Sequence, residues 1–288
     1  MADFVQIAIS GLSQGAVYGL MALGLTVIYR STTVLNFAHG AFFALGAFVT
    51  LFLLEANVPY LAAIAAAVLA VFVLGVAVFR VAFGRLLSEE HFTQVFATVA
   101  VAFILTGILR SMSADQRGMP TLFGGDMWSI GAAAVNPQHL VSITTLLVVS
   151  AIFAWVFLRT RFGRILRAST QNLRGATLVG INVTGVFAVM WGVGSALAAL
   201  AGILAAPTLL VSADVGVRPF LLGFAAMSLG GFGSFPGAVV GGLLIGLIEV
   251  FAGFYVSTTL GNAAGFLIIL IVLLLRPQGI FGSGEIEE

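Results

Sequence analysis

The sequence predicts an all-α protein, a polytopic transmembrane helix bundle of about eight to nine spans. Three observations carry that prediction. Of the 288 residues 60% are hydrophobic and 8% charged, against roughly 25% charged in a soluble domain, too few to cover a surface facing water. Apolar runs of about 20 residues, the length that spans a bilayer, recur along the chain. Arginines and turn-forming residues gather in the breaks between them.

Taken in order, the spans are expected at roughly 4–29, 35–54, 59–79, 92–110, 140–158, 185–210, 237–256 and 261–275. The first carries Asp3 and no basic residue ahead of its apolar run. A secretory signal needs a positive start, so this segment is expected to stay as a membrane helix. A shorter run at 219–232 is broken by the glycines of "LGGFGSFPG". It reads either as a short crossing or as a re-entrant piece shielded by protein.

Arginine placement sets the expected orientation. Segment 159–174 holds Arg159, Arg161, Arg164, Arg167 and Arg174 and no acid, which the positive-inside rule places in the cytoplasm. Alternate counting puts Arg30, Arg80 and Arg85 on that side as well, and Arg276 joins them if 219–232 crosses. The N-terminus is then outside, the C-terminus cytoplasmic, and the loop at about 111–139 external.

Small residues recur at packing intervals: Gly11, Gly15 and Gly19; Gly194, Ala198, Gly202 and Ala206; Gly237 with Gly241; Gly242 with Gly246. Such stripes let helix backbones approach closely in lipid, within a subunit or between subunits. "NFAHGAFFALGAF" (36–48) and "SFPGAVVGGLLIG" (234–246) share a pattern that an internal repeat would leave.

Composition also excludes functions. The chain has no cysteine, hence no disulfide and no cysteine-held zinc. Its twelve basic residues are all arginine, so it lacks the lysine of a phosphate-binding loop and the amine of Schiff-base chemistry. No H-E-x-x-H or G-x-S-x-G occurs, and His91 and His139 lie far from each other and from His39. No catalytic residue, metal site, bound cofactor or nucleic-acid partner is expected.

Several residues remain as candidates. In "NFAHG", Asn36 suits a helix N-cap and His39 would sit in the first turn. The pair reads as a capped helix start with a packing histidine, or as a helix mouth aimed into a solute path. Glu249, inside an apolar run, reads as an interhelical anchor or as a functional acid. With Tyr18 and Ser228 these form the candidate pathway set Asn36, His39, Tyr18, Ser228 and Glu249. On a continuous helix Arg164, Arg167, Gln171 and Arg174 share one face, with Gly180 and Ile181 just beyond. That amphipathic stretch reads as charge beside anionic lipid headgroups or as a docking surface for a cytoplasmic partner.

Four stretches together resemble one family: "LNFAHGAFFALGAFV", "FGRILRASTQNLRGATLVGINV", "LGGFGSFPGAVVGGLLIGLIE" and "RPQGIFG". They are similar to the LivH-type permease subunit of bacterial branched-chain amino-acid ABC importers, in order along nearly the whole chain. The resemblance implies a single permease domain over 1–288 in the bacterial inner membrane, with a cytoplasmic coupling segment at about 159–183. It implies a LivM-like second permease, two cytoplasmic ATPases that use the ATP, and a periplasmic solute-binding protein. Arg164, Arg167, Gln171, Arg174, Gly180 and Ile181 would then face the ATPase. At Ala41 the chain departs from the many members that carry an acid there. That keeps urea, short amides and small organic acids open as alternative solutes, beside a standalone secondary transporter using Glu249.

Overall fold

The computed structural model describes residues 2–87, 89–113, 115–124, 126–130, 133–276 and 278–281. α1 (Ala2–Thr32) is followed by α2 (His39–Glu55) and α3 (Tyr60–Val78). A π-helical turn, Phe79–Phe83, carries α3 into the short α4 (Gly84–Leu86). α5 (His91–Met112) leads to a two-stranded antiparallel hairpin of β1 (Trp128–Ile130) and β2 (Ala133–Val135). α6 (Pro137–Arg159), α7 (Arg161–Gln171), α8 (Leu173–Leu178) and α9 (Val183–Ala205) come next. α10 (Val217–Gly230), α11 (Phe235–Tyr255) and α12 (Thr258–Leu275) complete the chain.

Six of these are long and apolar enough to cross a membrane: α1, α3 with its extension, α5, α6, α9 and α11. α2, α10 and α12 are shorter apolar helices. Side-chain oxygens set many of the starts. Asn136, Thr160, Asn172, Asn182, Ser234 and Ser257 each accept a backbone N–H at the head of α6, α7, α8, α9, α11 and α12, meeting donors that a helix cannot satisfy itself.

The bundle has two chemically distinct ends. At one, the Arg30 guanidinium stands over the rings of Phe157 (5.5 Å) and Phe235 (5.2 Å). There Ile280 and Phe281 donate backbone hydrogen bonds to Leu229 and Gly230 at 2.8 and 3.0 Å. Arg30 also shares a cavity with Leu87, Ser169, Thr177 and Phe187. At the opposite end Arg110 pairs with Asp214 at 2.8 Å, Arg117 with Glu55 at 3.1 Å, and Arg117 bridges Val211. α10 runs from the second end to the first, so 219–232 is a traverse, though the helix begins at 217. α10's fourteen residues rise about 21 Å. The turn after it needs Gly231 (φ 102) and Gly233 (φ 80), conformations that glycine alone adopts freely.

Some sequence expectations shift. The second helix begins at His39 rather than 35, the third runs on to Leu86, and the sixth span ends at Ala205 rather than 210. The loop expected at about 111–139 holds a hairpin and ends where α6 begins at Pro137. The arginine segment is two helices: Asn172 leaves helical geometry (φ −147, ψ 92) to cap α8 through Gly175 N–H at 2.7 Å. Arg174 therefore does not share one continuous helical face with Arg164, Arg167 and Gln171.

α1 is the most enclosed of the six long helices, 89% of its apolar window being buried against 17% for α5 and 11% for α6. Its glycine stripe meets α11 directly. A Cβ at Gly15 would stand 2.7 Å from Leu243 Cα, and one at Gly246 would stand 2.1 Å from Gly15 N. Gly24 is as tight against Gly194 O of α9, at 2.7 Å. Gly246→Val should therefore cost about 1–3 kcal/mol or more through overpacking, read as a lowered thermal midpoint of the purified chain. Gly107→Ala, where nothing lies within 4 Å of the added carbon, should leave the midpoint unchanged or raise it, since alanine is the better helix former.

Candidate functional site

The candidate residues fall into three places. The first is the segment between α1 and α2. Just past the end of α1, Thr33 stands at φ 55, a rare conformation for a β-branched residue. From there the chain climbs back beside α5 without forming a helix. Phe37 N–H donates to Thr98 Oγ1 at 3.1 Å, and the Thr98 hydroxyl donates to Val95 O at 2.7 Å. Thr98 is seven residues into α5, about 10 Å along its axis. Non-helical backbone at such depth survives only with its polar groups satisfied by protein or a wet cavity, and Thr98 supplies that partner.

Asn36 caps differently from the sequence expectation. Its Oδ1 accepts Ala38 N–H at 2.9 Å, and its carbonyl accepts His39 N–H at 3.2 Å. It closes a turn ahead of α2, whose own N-cap position is Ala38 with no side-chain cap. The correction follows from the chain still climbing at Asn36; the helix begins only when the turn is closed. His39 opens α2, fully buried against α1, its Nε2 2.7 Å from where a Gly24 Cβ would stand. Asn36 Nδ2 has no partner among the described residues, and the His39 ring approaches the Met21 backbone without closing a well-formed hydrogen bond.

The second place joins Tyr18 and Glu249. Arg218 Nη2 donates to Glu249 Oε1 at 2.5 Å and to Asn262 Oδ1 at 2.8 Å. The network ties α10, α11 and α12, and the Tyr18 hydroxyl, which accepts from Gln14 Nε2 at 2.7 Å, approaches the same carboxylate. Glu249 is 8% exposed, whereas the Arg218 side chain is 48% exposed. The geometry matches the anchor reading of Glu249. The structure does not bring Tyr18 and Glu249 together with Asn36 and His39. Ser228 lies apart again, buried near the end of α10, where its carbonyl would stand 2.6 Å from a Cβ at Gly279.

The third place is the arginine-rich end. α7 is amphipathic as read from sequence, burying Gly163, Leu166 and Ser169. Arg164 and Arg174 point outward with Gln171, but Arg167 donates to Phe157 O and stacks over the Phe157 ring at 5.7 Å. Arg167 is turned into the α6–α7 corner and is absent from the outward face. Beyond it, Leu173, Leu178 and Val179 are 54%, 87% and 75% exposed. Gly180, at φ 83, turns the chain toward α9, and Ile181 is half-buried.

Comparison with known proteins settles what kind of molecule this is. The family model described as "Branched-chain amino acid transport system / permease component" matches residues 7–275. The chain belongs to this permease family. It is 31% identical to the high-affinity branched-chain amino acid transport system permease protein BraD of Pseudomonas aeruginosa, over 99% of this chain and 98% of that protein. It is 30% identical to the permease protein LivH of Escherichia coli K12, over 99% and 97%. Among solved structures, PsaBC from Streptococcus pneumoniae in complex with Fab matches in fold, with a TM-score of 0.50 and 12% identity over 96% of this chain and 93% of that one.

The permease is thus a multi-pass membrane protein and a transport subunit, one that works with ATPase and other transporter partners. Residues that sequence reading missed are Thr98, Arg110, Asp214 and Arg218. Each acts through a partner roughly thirty to a hundred residues away, a relation that no local pattern displays. Arg218→Met strands the Glu249 carboxylate, and should destabilise by less than the about 3–5 kcal/mol typical when one partner of a buried pair is removed, because Arg218 is half exposed. The double variant Arg218→Met/Glu249→Met should regain most of the lost thermal midpoint.

Proposed function

We propose that this permease carries branched-chain amino acids into the bacterial cytoplasm across the inner membrane, as the LivH-like partner of a LivM-like second permease. Two cytoplasmic ATPases bind and hydrolyse the ATP, and a periplasmic solute-binding protein delivers the solute. The observation that carries the reading is full-length similarity to BraD and LivH, whose names specify that solute class. Membership extends over the matched residues 7–275 rather than resting on one motif.

The arginine-rich end supports an orientation with that end in the cytoplasm. Arg159, Arg161, Arg164, Arg167 and Arg174 gather there in a segment, 159–174, that holds no acid, as the positive-inside rule expects. At the opposite end Arg110 and Arg117 are neutralised by Asp214 and Glu55. The ATPase-docking surface is the outward face of α7 and α8. Leu173, Leu178 and Val179 stand exposed on the same two-helix segment as Arg164, Gln171 and Arg174, apolar side chains near charge of the kind that partner proteins cover. Gly180 and Ile181 complete the turn that mounts this surface on α9, and Arg167 holds it to α6. A push on α8 reaches the bundle interior through α9, the helix packed on α1 at Gly24 and Gly194. The path residues Asn36 and His39 lie at the start of α2, next to that junction.

Arg174→Glu with Leu178→Asp should abolish most leucine uptake by the assembled transporter and release the ATPases on co-purification, with folded yield unchanged. Arg167→Glu should instead lower folded yield, because it removes the bond to Phe157 O. Normal uptake in the first variant would remove the docking surface from the mechanism.

A further inference from the structure

A groove of about 370 Å³ runs between α2, α5 and α10. It opens beside the Arg110–Asp214 pair and reaches down to Phe37, Gly40 and Ala41 at the start of α2. Its walls are apolar, with Phe103 on α5 facing Phe220 and Leu221 on α10 across the lining. Small-molecule sites combine such walls with a few placed polar groups and measure about 300–1,000 Å³. Here the polar groups are Thr106, Arg110 and Asp214, and they carry both charge signs.

The ion pair is built with capacity to spare. One nitrogen, Arg110 Nη2, donates to both Asp214 oxygens, at 2.8 and 2.9 Å. A guanidinium has five N–H donors and a carboxylate about four acceptor positions. Nε and Nη1 of Arg110 therefore remain for another acceptor, and Asp214 for another donor. The two side chains are 63% and 55% exposed. A pair so exposed contributes only about 0–1 kcal/mol to stability, so fold stability does not explain its place above an apolar groove.

We infer that this groove is a binding site for an apolar zwitterionic amino acid, its carboxylate on Arg110, its ammonium on Asp214 and its aliphatic side chain between α5 and α10. The inference rests on the transport reading above and adds the place where this chain meets the solute. An amino acid carries its two charges a few bonds apart, and laid antiparallel to the ion pair it completes an alternating set of four charges. A plain amine or a plain carboxylate would satisfy only half of the mouth. The apolar floor and walls match a branched aliphatic side chain and offer little to a polar one.

The floor also joins the site to the bundle. A Cβ at Gly216 would stand 1.9 Å from Gly40 O, so the strip bearing Asp214 rests directly on the start of α2. Phe37, in the lining, is held to α5 by its bond to Thr98. An occupant of the groove thus touches the three elements that meet at the non-helical segment.

The test uses the absence of cysteine from the chain. Gly107 lines the groove and has nothing within 4 Å of its Cβ direction, so Gly107→Cys introduces a single thiol without crowding. The full chain in lipid nanodiscs is labelled with a charged thiol reagent. L-leucine should slow labelling several-fold; isopentylamine and 4-methylpentanoate should not. Arg110→Gln or Asp214→Asn in the same background should remove the protection. A control thiol at Met127→Cys, 61% exposed in the loop before β1, should react at one rate throughout. Labelling indifferent to leucine in a folded chain, or equal protection by the amine alone, overturns the site. Uptake by the complete transporter separates the two readings. Full leucine uptake in Arg110→Gln/Asp214→Asn overturns the groove and leaves the transport function standing. No branched-chain uptake by the unaltered complex overturns the transport reading, and leucine protection of the thiol still decides the groove.

Discussion

The structure depends on how closely the backbone of α1 is approached by its neighbours. In a bilayer, helices gain nothing from expelling water, so association rests on dispersion contacts and hydrogen bonds between helices. Gly11 and Gly15 give α1 a surface without side chains on which α11 lies, its own Gly242 and Gly246 opposing them. Farther along, Gly24 opens the same helix to Gly194 of α9. α1 is thereby held from two sides by backbone, and a single added methyl group at several of these positions has nowhere to go. This rigid seam is what lets a chain of nearly all-apolar side chains adopt one arrangement.

A consequence is that the polar residues of the interior concentrate where the helices fail. The chain between α1 and α2 is extended within the bundle, and there Asn36 and Thr98 take over the hydrogen bonding that a helix would provide. The strip before α10 descends in a comparable way until Gly216 meets Gly40. Two interrupted elements thus touch at one point, which shortens both α2 and α10. Their short lengths follow from where they start, and both still reach an end of the bundle.

Much of this was legible in the sequence because it is written in short-range terms. Apolar runs mark the spans, and the glycine intervals mark stripes where helix backbones approach closely, of which α1 and α11 form one. The resemblance carried by "NFAHG" and the arginine segment pointed to the family that the full-length similarity shows. What stayed hidden were relations across the chain. Asn36 looked like the cap of α2, since its type suits one, yet the backbone closes a separate turn first. Arg164 to Arg174 looked like one helical face, because periodicity cannot register that Asn172 prefers to cap α8. Arg167 looked like part of an outward surface, and only the fold of α6 onto α7 brings Phe157 O within its reach. Glu249 was visible as an anomaly, but its partner Arg218 lies thirty-one residues upstream on another helix.

The distribution of burial indicates where a transport cycle finds its freedom. α1 with α11 and α9 forms packing too tight to slide without passing glycine across backbone, and interiors of that density tend to switch between discrete arrangements rather than deform. α5 is different: it is mostly exposed, faces α10 across a cavity instead of packing on it, and is tied to the 35–37 segment through Thr98. A displacement of α5 would widen or narrow the groove while leaving the glycine seam intact. α8 contacts α9, which in turn contacts both α1 and α2, so a force applied there as proposed would enter the bundle through α9. If α8 docks a partner and the groove holds a solute as proposed above, the start of α2 is the point where both would act on the same few residues. The Asn36 amide nitrogen at that junction has hydrogen-bonding capacity that this arrangement leaves unused.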